Sequence, residues 1–140
     1  MLLDKSMKGA DFSGQDLTER NLSFCDLTGC NFSNAMMTEC NLHGAVCEEA
    51  NFEGAILDFA DLTYANFKGS KMKGASLKSV SLRWENMNHV DLEEADFTDA
   101  DLTGTCFLGS NTNNANMTNA VVEDTTFDDE SLLKNLMKTA

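Results

Sequence analysis

Every fifth residue of this chain, counted from Leu2 to Met137, is apolar, and of these 28 positions only Thr112 is clearly polar. We call this residue the centre of its pentad. Two residues before the centre the side chain is usually small, as at Ala10, Cys25, Cys30, Ala35, Cys40, Ala45 and Ala50. The residue between the two is often Asp or Asn, and all nine glycines fall two residues after a centre. Positions two apart on an extended backbone point the same way, so centre and small residue face inward while the residue between them faces out. Glycine two after the centre marks a turn, where a positive φ costs it least. Five residues therefore make one short extended segment and one corner. A single such unit buries almost nothing, so the units must coil and stack.

The columns set the size of the coil. At a spacing of twenty residues Leu2, Leu22, Leu42, Leu62, Leu82, Leu102 and Val122 form one nearly uniform column. Phe12, Phe32 and Phe52 fall in another, and Phe107 with Phe127 in a third. A coil of fifteen residues would mix Leu, Phe and Cys in every column. Four pentads per coil make about seven coils, a rod roughly 34 Å long at ~4.8 Å per coil.

The pentads ANFEG (50–54), ADLTY (60–64), ADFTD (95–99) and ADLTG (100–104) resemble the pentapeptide-repeat proteins, whose consensus is A-(D/N)-L-x-x. The resemblance covers essentially the whole chain, without a register slip from Leu2 to Met137. It implies an all-β solenoid, a right-handed quadrilateral β-helix with four pentapeptides per coil. Residues 1–127 are expected to form this β-helix. The run DDESLLKNLMKTA (128–140) changes character: Asp128 or Asp129 can cap a helix, acids come early and lysines late. Leu132, Leu133, Leu136 and Met137 share one helical face, so a short C-terminal helix is expected to cover the exposed sheet edge of the last coil. A homodimer contact through the same end is the alternative, and the resemblance adds that family members binding topoisomerases often dimerise there.

Length and composition narrow the function. A chain of 140 residues makes one domain with a modest core. No apolar run is long enough for a membrane span or a signal peptide. Five cysteines, none in a C-x-x-C pair and no two twenty residues apart, read as reduced thiols of a cytoplasmic protein. A net charge of −13 disfavours binding to nucleic-acid phosphates and leaves other proteins as partners.

The densest chemistry is acidic. Asp91, Glu93, Glu94, Asp96, Asp99 and Asp101 crowd into residues 91–101. Asp91, Asp96 and Asp101 stand just before a centre, a slot that Asn fills at Asn21, Asn31, Asn41, Asn51 and Asn66. Catalysis or calcium binding would distinguish Asp from Asn; a side chain that bonds nearby backbone in a turn does not. No EF-hand loop is present. As a surface, Asp91, Glu94, Asp96, Asp99 and Asp101 are candidates for partner binding, with Glu94 and Asp99 the acids the repeat itself does not explain.

Residues 68–84 are basic instead, with Lys68, Lys71, Lys73, Lys78 and Arg83 and no acid. Stacking at twenty residues predicts an ion-pair ladder of Glu48 with Lys68, Asp58 with Lys78, and Lys73 between Glu53 and Glu93. Seven of the nine phenylalanines are centres, whereas Phe24, Phe59, Tyr64 and Trp84 occupy the outward corner. Phe24, Tyr64 and Trp84 share one column and are candidates for a binding surface, with corner shielding as the plainer role. Glu85 takes a small inward position, where an unpaired carboxylate is costly. Either the coil bulges there or Arg83 or another base satisfies it. No cofactor and no metal site are expected, His43 and His89 having no ligand partners in register.

No nucleophile–base pair or phosphate loop stands apart from the repeat, so the chain reads as a non-enzymatic binding protein. The resemblance offers one specific role, a DNA-mimicking inhibitor or protector of gyrase or another type II topoisomerase such as topoisomerase IV. A duplex as long as the rod carries about 20 phosphate charges at one per ~1.7 Å. The alternative is a protein-interaction scaffold of unrelated biology that uses the aromatic and acidic surface.

Overall fold

The computed structural model describes residues 5–127. Parallel bridges join residues twenty apart on four sides of the chain, as in Asn41↔Asp61, Val46↔Asn66, Asn51↔Lys71 and Ile56↔Ser76. The coil is thus four pentads long, as the columns require. We number the sides from the pentads 60–64 (first), 65–69 (second), 70–74 (third) and 75–79 (fourth), and their equivalents at every twenty residues.

Each side follows one hydrogen-bonding rule. The N–H of a centre donates to the carbonyl 19 residues ahead, as from Phe32 to Asn51 at 2.6 Å. The N–H of the bridging residue donates to the carbonyl 21 residues behind, as from Asn51 to Cys30 at 2.9 Å. The corner closes with a bond such as Ala35 N–H to Phe32 C=O at 3.0 Å, with positive φ at the residue between Ser33 and Ala35. That is the pattern of a type II turn. One bridging residue per side leaves no room for a long strand, so the sheet runs along the rod axis.

The core lies along that axis. Leu22, Leu42, Leu62, Leu82 and Leu102 are all buried, and Phe12, Phe32 and Phe52 stack with ring centroids 5.2 and 4.9 Å apart and planes within about ten degrees of parallel. Phe107 stacks on Phe127 at 6.0 Å. Thr112, the polar centre, is buried too. The buried Ser70 hydroxyl has no hydrogen-bond partner among the described residues, but other polar inward residues donate to the carbonyl 23 residues behind: Thr105 to Leu82 at 2.7 Å, Thr125 to Leu102 at 2.8 Å and the Cys30 thiol to Met7 at 2.9 Å. This removes the cost of an unpaired buried donor. Lys5, Gln15 and Arg20, which break the small-residue rule near the first coil, are exposed. The helix expected over 128–140, with Leu132, Leu133, Leu136 and Met137 as cap or dimer contact, lies outside the described residues.

Candidate functional site: an aromatic corner and a split seam

All corners from Gly9 to Asp124 have positive φ, and fifteen of them are not glycine. A side chain on a left-handed residue stands clear of the sheet, which is why Phe24, Tyr64 and Trp84 are 65%, 79% and 66% exposed. All three lie on the edge between the first and second sides. Phe24 lies over Gly44, where an added Cβ would meet the ring at 2.5 Å, and Trp84 lies over Gly104 in the same way. The place left by Gly44 is taken by His43 of the adjoining position. Its imidazole packs edge-on against Phe24 (5.2 Å) and against Tyr64 (5.5 Å). Thr63 Oγ1 donates to Asp61, so it accepts from His43 Nδ1–H at 2.6 Å, leaving Nε2 as the free ring nitrogen. Phe24, His43 and Tyr64 therefore pack into one aromatic group, and Trp84 stands on the same edge one coil further on, so that the aromatic corner spans four coils. His43 is the member that sequence reasoning missed; its signal was the 19-residue step that the backbone bonds follow.

The acids are not gathered on that corner. Asp91, Asp96 and Asp101 each accept the N–H two residues on, from Glu93 (3.2 Å), Thr98 (2.9 Å) and Thr103 (3.1 Å). Asn31 and Asn51 do the same for Ser33 and Glu53, which is why Asp and Asn interchange in this slot. The Thr103 hydroxyl and N–H, with Arg83, hold the Asp101 carboxyl below the usual aspartate range. Glu94 and Asp99 stand exposed at two further corners. The six clustered acids thus wrap around the rod rather than form one patch.

The basic belt pairs on a diagonal. Lys73 meets Glu93 at 3.7 Å as stacking predicts, but Lys78 meets Asp96 (3.8 Å) and Arg83 meets Asp101 (3.0 Å), each 18 residues on. The expected pairs Glu48–Lys68, Asp58–Lys78 and Glu53–Lys73 do not form among the described residues. Glu48 accepts from the Asn66 amide at 2.7 Å, and Asp58 accepts from the Ser76 hydroxyl and the Lys78 N–H. A side chain just after a centre leans toward the bridging residue of the neighbouring coil, so it reaches 18 residues away, not 20. Lys68 and Lys71 have no ion pair among the described residues.

Glu85 resolves as a bulge. Arg83 is committed to Asp101, and the Glu85 carboxylate instead accepts the backbone N–H of Tyr64 at 2.8 Å. That N–H would otherwise reach Arg83 C=O. The bridges Asp61↔Ser81 and Asn66↔Asn86 are missing while Lys71↔Asp91 and Ser76↔Asp96 persist, so the seam is split on two adjoining sides only. The N–H groups of Leu62, Phe67, Ser81 and Asn86 lose their carbonyls, and Gly69 N–H shifts one residue to His89 C=O. Burial raises the Glu85 pKa, an effect opposed by the Tyr64 N–H and His43 and reinforced by Asp61. Beneath the split, Leu62, Phe67, Leu82 and Met87 stay buried. On the second side it leaves a cleft of about 440 Å³ lined by Ala65, Asn66, Lys68, Asn86, Asn88 and His89.

All five cysteines are free, and Cys25, Cys30, Cys40 and Cys47 are buried. Desolvation pushes the Cys40 thiol up to about 11 and Cys47 higher still. Among the described residues no group of three or more His, Cys, Asp or Glu is placed to hold a metal ion, and no helix is long and apolar enough to cross a membrane.

The chain is similar in structure to a pentapeptide repeat protein of the Arabidopsis thaliana thylakoid lumen, at 28% identity over 91% of this chain and 78% of that one, with a TM-score of 0.65. It is similar in fold to Rfr23 of the cyanobacterium Cyanothece 51142 (17% identity, 88% of both chains, TM-score 0.60). It is likewise similar in fold to QnrB1, a plasmid-mediated fluoroquinolone resistance protein (18% identity, 95% of this chain and 84% of that one, TM-score 0.58). No curated protein matches the chain. Pentapeptide-repeat proteins form right-handed quadrilateral β-helices. The family description "Pentapeptide repeats" matches in eight copies over residues 6–44, 40–78, 75–111 and 95–129, and with the twenty-residue bridging this chain belongs to the pentapeptide-repeat family.

Proposed function

We propose that the chain is a non-enzymatic protein-binding rod whose contact edge is the aromatic corner of Phe24, Tyr64 and Trp84. One observation carries this reading: three large aromatic side chains stand about two-thirds or more exposed along a single edge, with His43 packed between Phe24 and Tyr64. Aromatic anchors of this kind dominate protein interfaces because they bury much area at low entropic cost. Crosslinking from a photoreactive residue in place of Phe59, on another edge, serves as the control against one in place of Tyr64. Partner crosslinks from position 64 and not from 59 support the reading; equal yields sink it.

A second reading is that the partner is gyrase or topoisomerase IV, met as a mimic of DNA in the cytoplasm. It is supported by the net charge of −13 and by corner acids such as Glu94 and Asp99, whose side chains have no ion pair among the described residues. Likeness in fold to a fluoroquinolone resistance protein motivates the choice of enzyme. A gyrase supercoiling assay with purified protein decides it: inhibition, or protection from quinolone, at micromolar concentration is expected, and no effect ends this reading.

A further inference from the structure

Glu85 carries a charge that the chain itself does not balance. It is half-buried in an inward slot, and no ion pair among the described residues includes it. Arg83, the neighbouring base, is held by Asp101. The charges that act on Glu85 are those of Asp61, which raises its pKa, and of His43, which lowers it. Two carboxylates side by side, one of them drawn from water, call for a cation. Both keep an oxygen to meet one. Glu85 uses Oε1 on the Tyr64 N–H, and Asp61 uses Oδ1 on the Thr63 N–H and hydroxyl. Glu85 Oε2 and Asp61 Oδ2 have no bond among the described residues. The place is the aromatic edge: the Glu85 carboxylate lies on the backbone of Tyr64, and Trp84 directly precedes Glu85, both rings being exposed. His43 packs on Tyr64, whereas no ring packs on the Trp84 indole among the described residues. The adjoining first side agrees in charge. From residue 40 to residue 104 its charged groups are Asp61, Arg83 and Asp101, and Asp101 neutralises Arg83.

We infer that the aromatic edge receives an arginine side chain of a partner protein, its guanidinium between Tyr64 and Trp84 and paired with the free oxygens of Glu85 and Asp61. The inference rests on the corner being a protein-contact edge and names what that edge reads. A metal ion fits the place less well, since no three His, Cys, Asp or Glu groups among the described residues are set around one. Aromatic faces attract organic cations, and carboxylates pair with them. Guanidinium is planar, stacks on aromatic rings and donates to two oxygens at once, which a compact ammonium does not match. Glu85 therefore has two roles: its Oε1 wedges the seam through the Tyr64 N–H, and its Oε2 waits for the partner's charge.

The probe is a capped peptide of about ten residues, glycine and serine with leucine, arginine and leucine at its centre. It is titrated into the full chain by NMR and by the fluorescence of Trp84, the single tryptophan. Binding should change the emission and shift the amide resonances of Tyr64 and Glu85, leaving that of Phe59 in place. Exchanging the arginine for citrulline, which keeps its shape without its charge, should weaken binding roughly tenfold or more. Asp61→Asn and Glu85→Gln should each weaken it roughly threefold, and together roughly tenfold. Asn fills the Asp61 slot elsewhere in the repeat, and a Gln oxygen still accepts the Tyr64 N–H, so both variants keep the local bonds. Glu94→Gln with Asp99→Gln, on other corners, should bind as wild type. Equal binding of the citrulline peptide overturns the proposal, and this comparison needs no variant. Equal weakening by the Glu94 and Asp99 changes overturns it too, by showing attraction to net charge alone. If partner crosslinks from position 64 survive Asp61→Asn with Glu85→Gln, the arginine fails and the corner reading stands; if position 64 yields none in the otherwise unaltered chain, both fail.

Discussion

At each corner one residue adopts φ near +60 or +70°, and from Gly9 to Asp124 none of these residues is β-branched or proline. β-Branched side chains fit the left-handed region worst, so their exclusion is the residue-level rule of this fold. Glu39, exposed with φ 58°, isolates it. Glu39→Val should destabilise by about 1–2 kcal/mol in urea denaturation while Glu39→Gly stays near neutral. Equal losses would mean that the side chain and not the dihedral matters. The nine glycines made the corners legible in sequence; the other fifteen were located only by register, because Glu, Phe or Trp alone does not announce a positive φ. Glu85 was legible as a conflict but not in its outcome, since its partner is a backbone N–H that no residue pattern marks. Its raised pKa carries a sign. Protonation is favoured in the folded state, so the resulting stability is full below the ordinary glutamate value and is lost as pH rises through the folded value. The melting temperature of wild type should fall relative to Glu85→Gln over that rise; a constant difference contradicts the assignment.

At the level of the coil, side chains interact along columns. Phe32 is fully buried between Phe12 and Phe52, and Phe32→Ala removes both stacking contacts. A loss of about 3–5 kcal/mol in stability is expected. A loss below ~1 kcal/mol would mean that the stack is not the organising contact. These columns were readable because identical centres recur at twenty residues. The polar diagonals were not: the Arg83–Asp101 pair depends on which way a side chain leans from its pentad, and the composition of a column carries no record of that. The same reason hid His43 between Phe24 and Tyr64, one coil apart from each.

Over the whole rod, repetition separates scaffold from surface. Inward and bridging positions are largely determined by the coil, leaving the residues just before the corners free to vary and the corners free only within what a left-handed backbone accepts. The acids spread around the rod, with Asp91, Asp96 and Asp101 tied into turns and two of them into ion pairs. Exposed aromatics instead concentrate on one edge, beside the stretch where, among the described residues, the ladder opens. The account therefore assigns recognition to Tyr64 and Trp84 rather than to the acid cluster. Its most direct test is quantitative capture of crosslinked partners in the native cell by wild type, by Tyr64→Ala with Trp84→Ala, and by Glu94→Ala with Asp99→Ala. The account predicts that partners held by wild type are lost with the aromatic pair and retained without the two acids; capture of the same partners by the aromatic variant would contradict it.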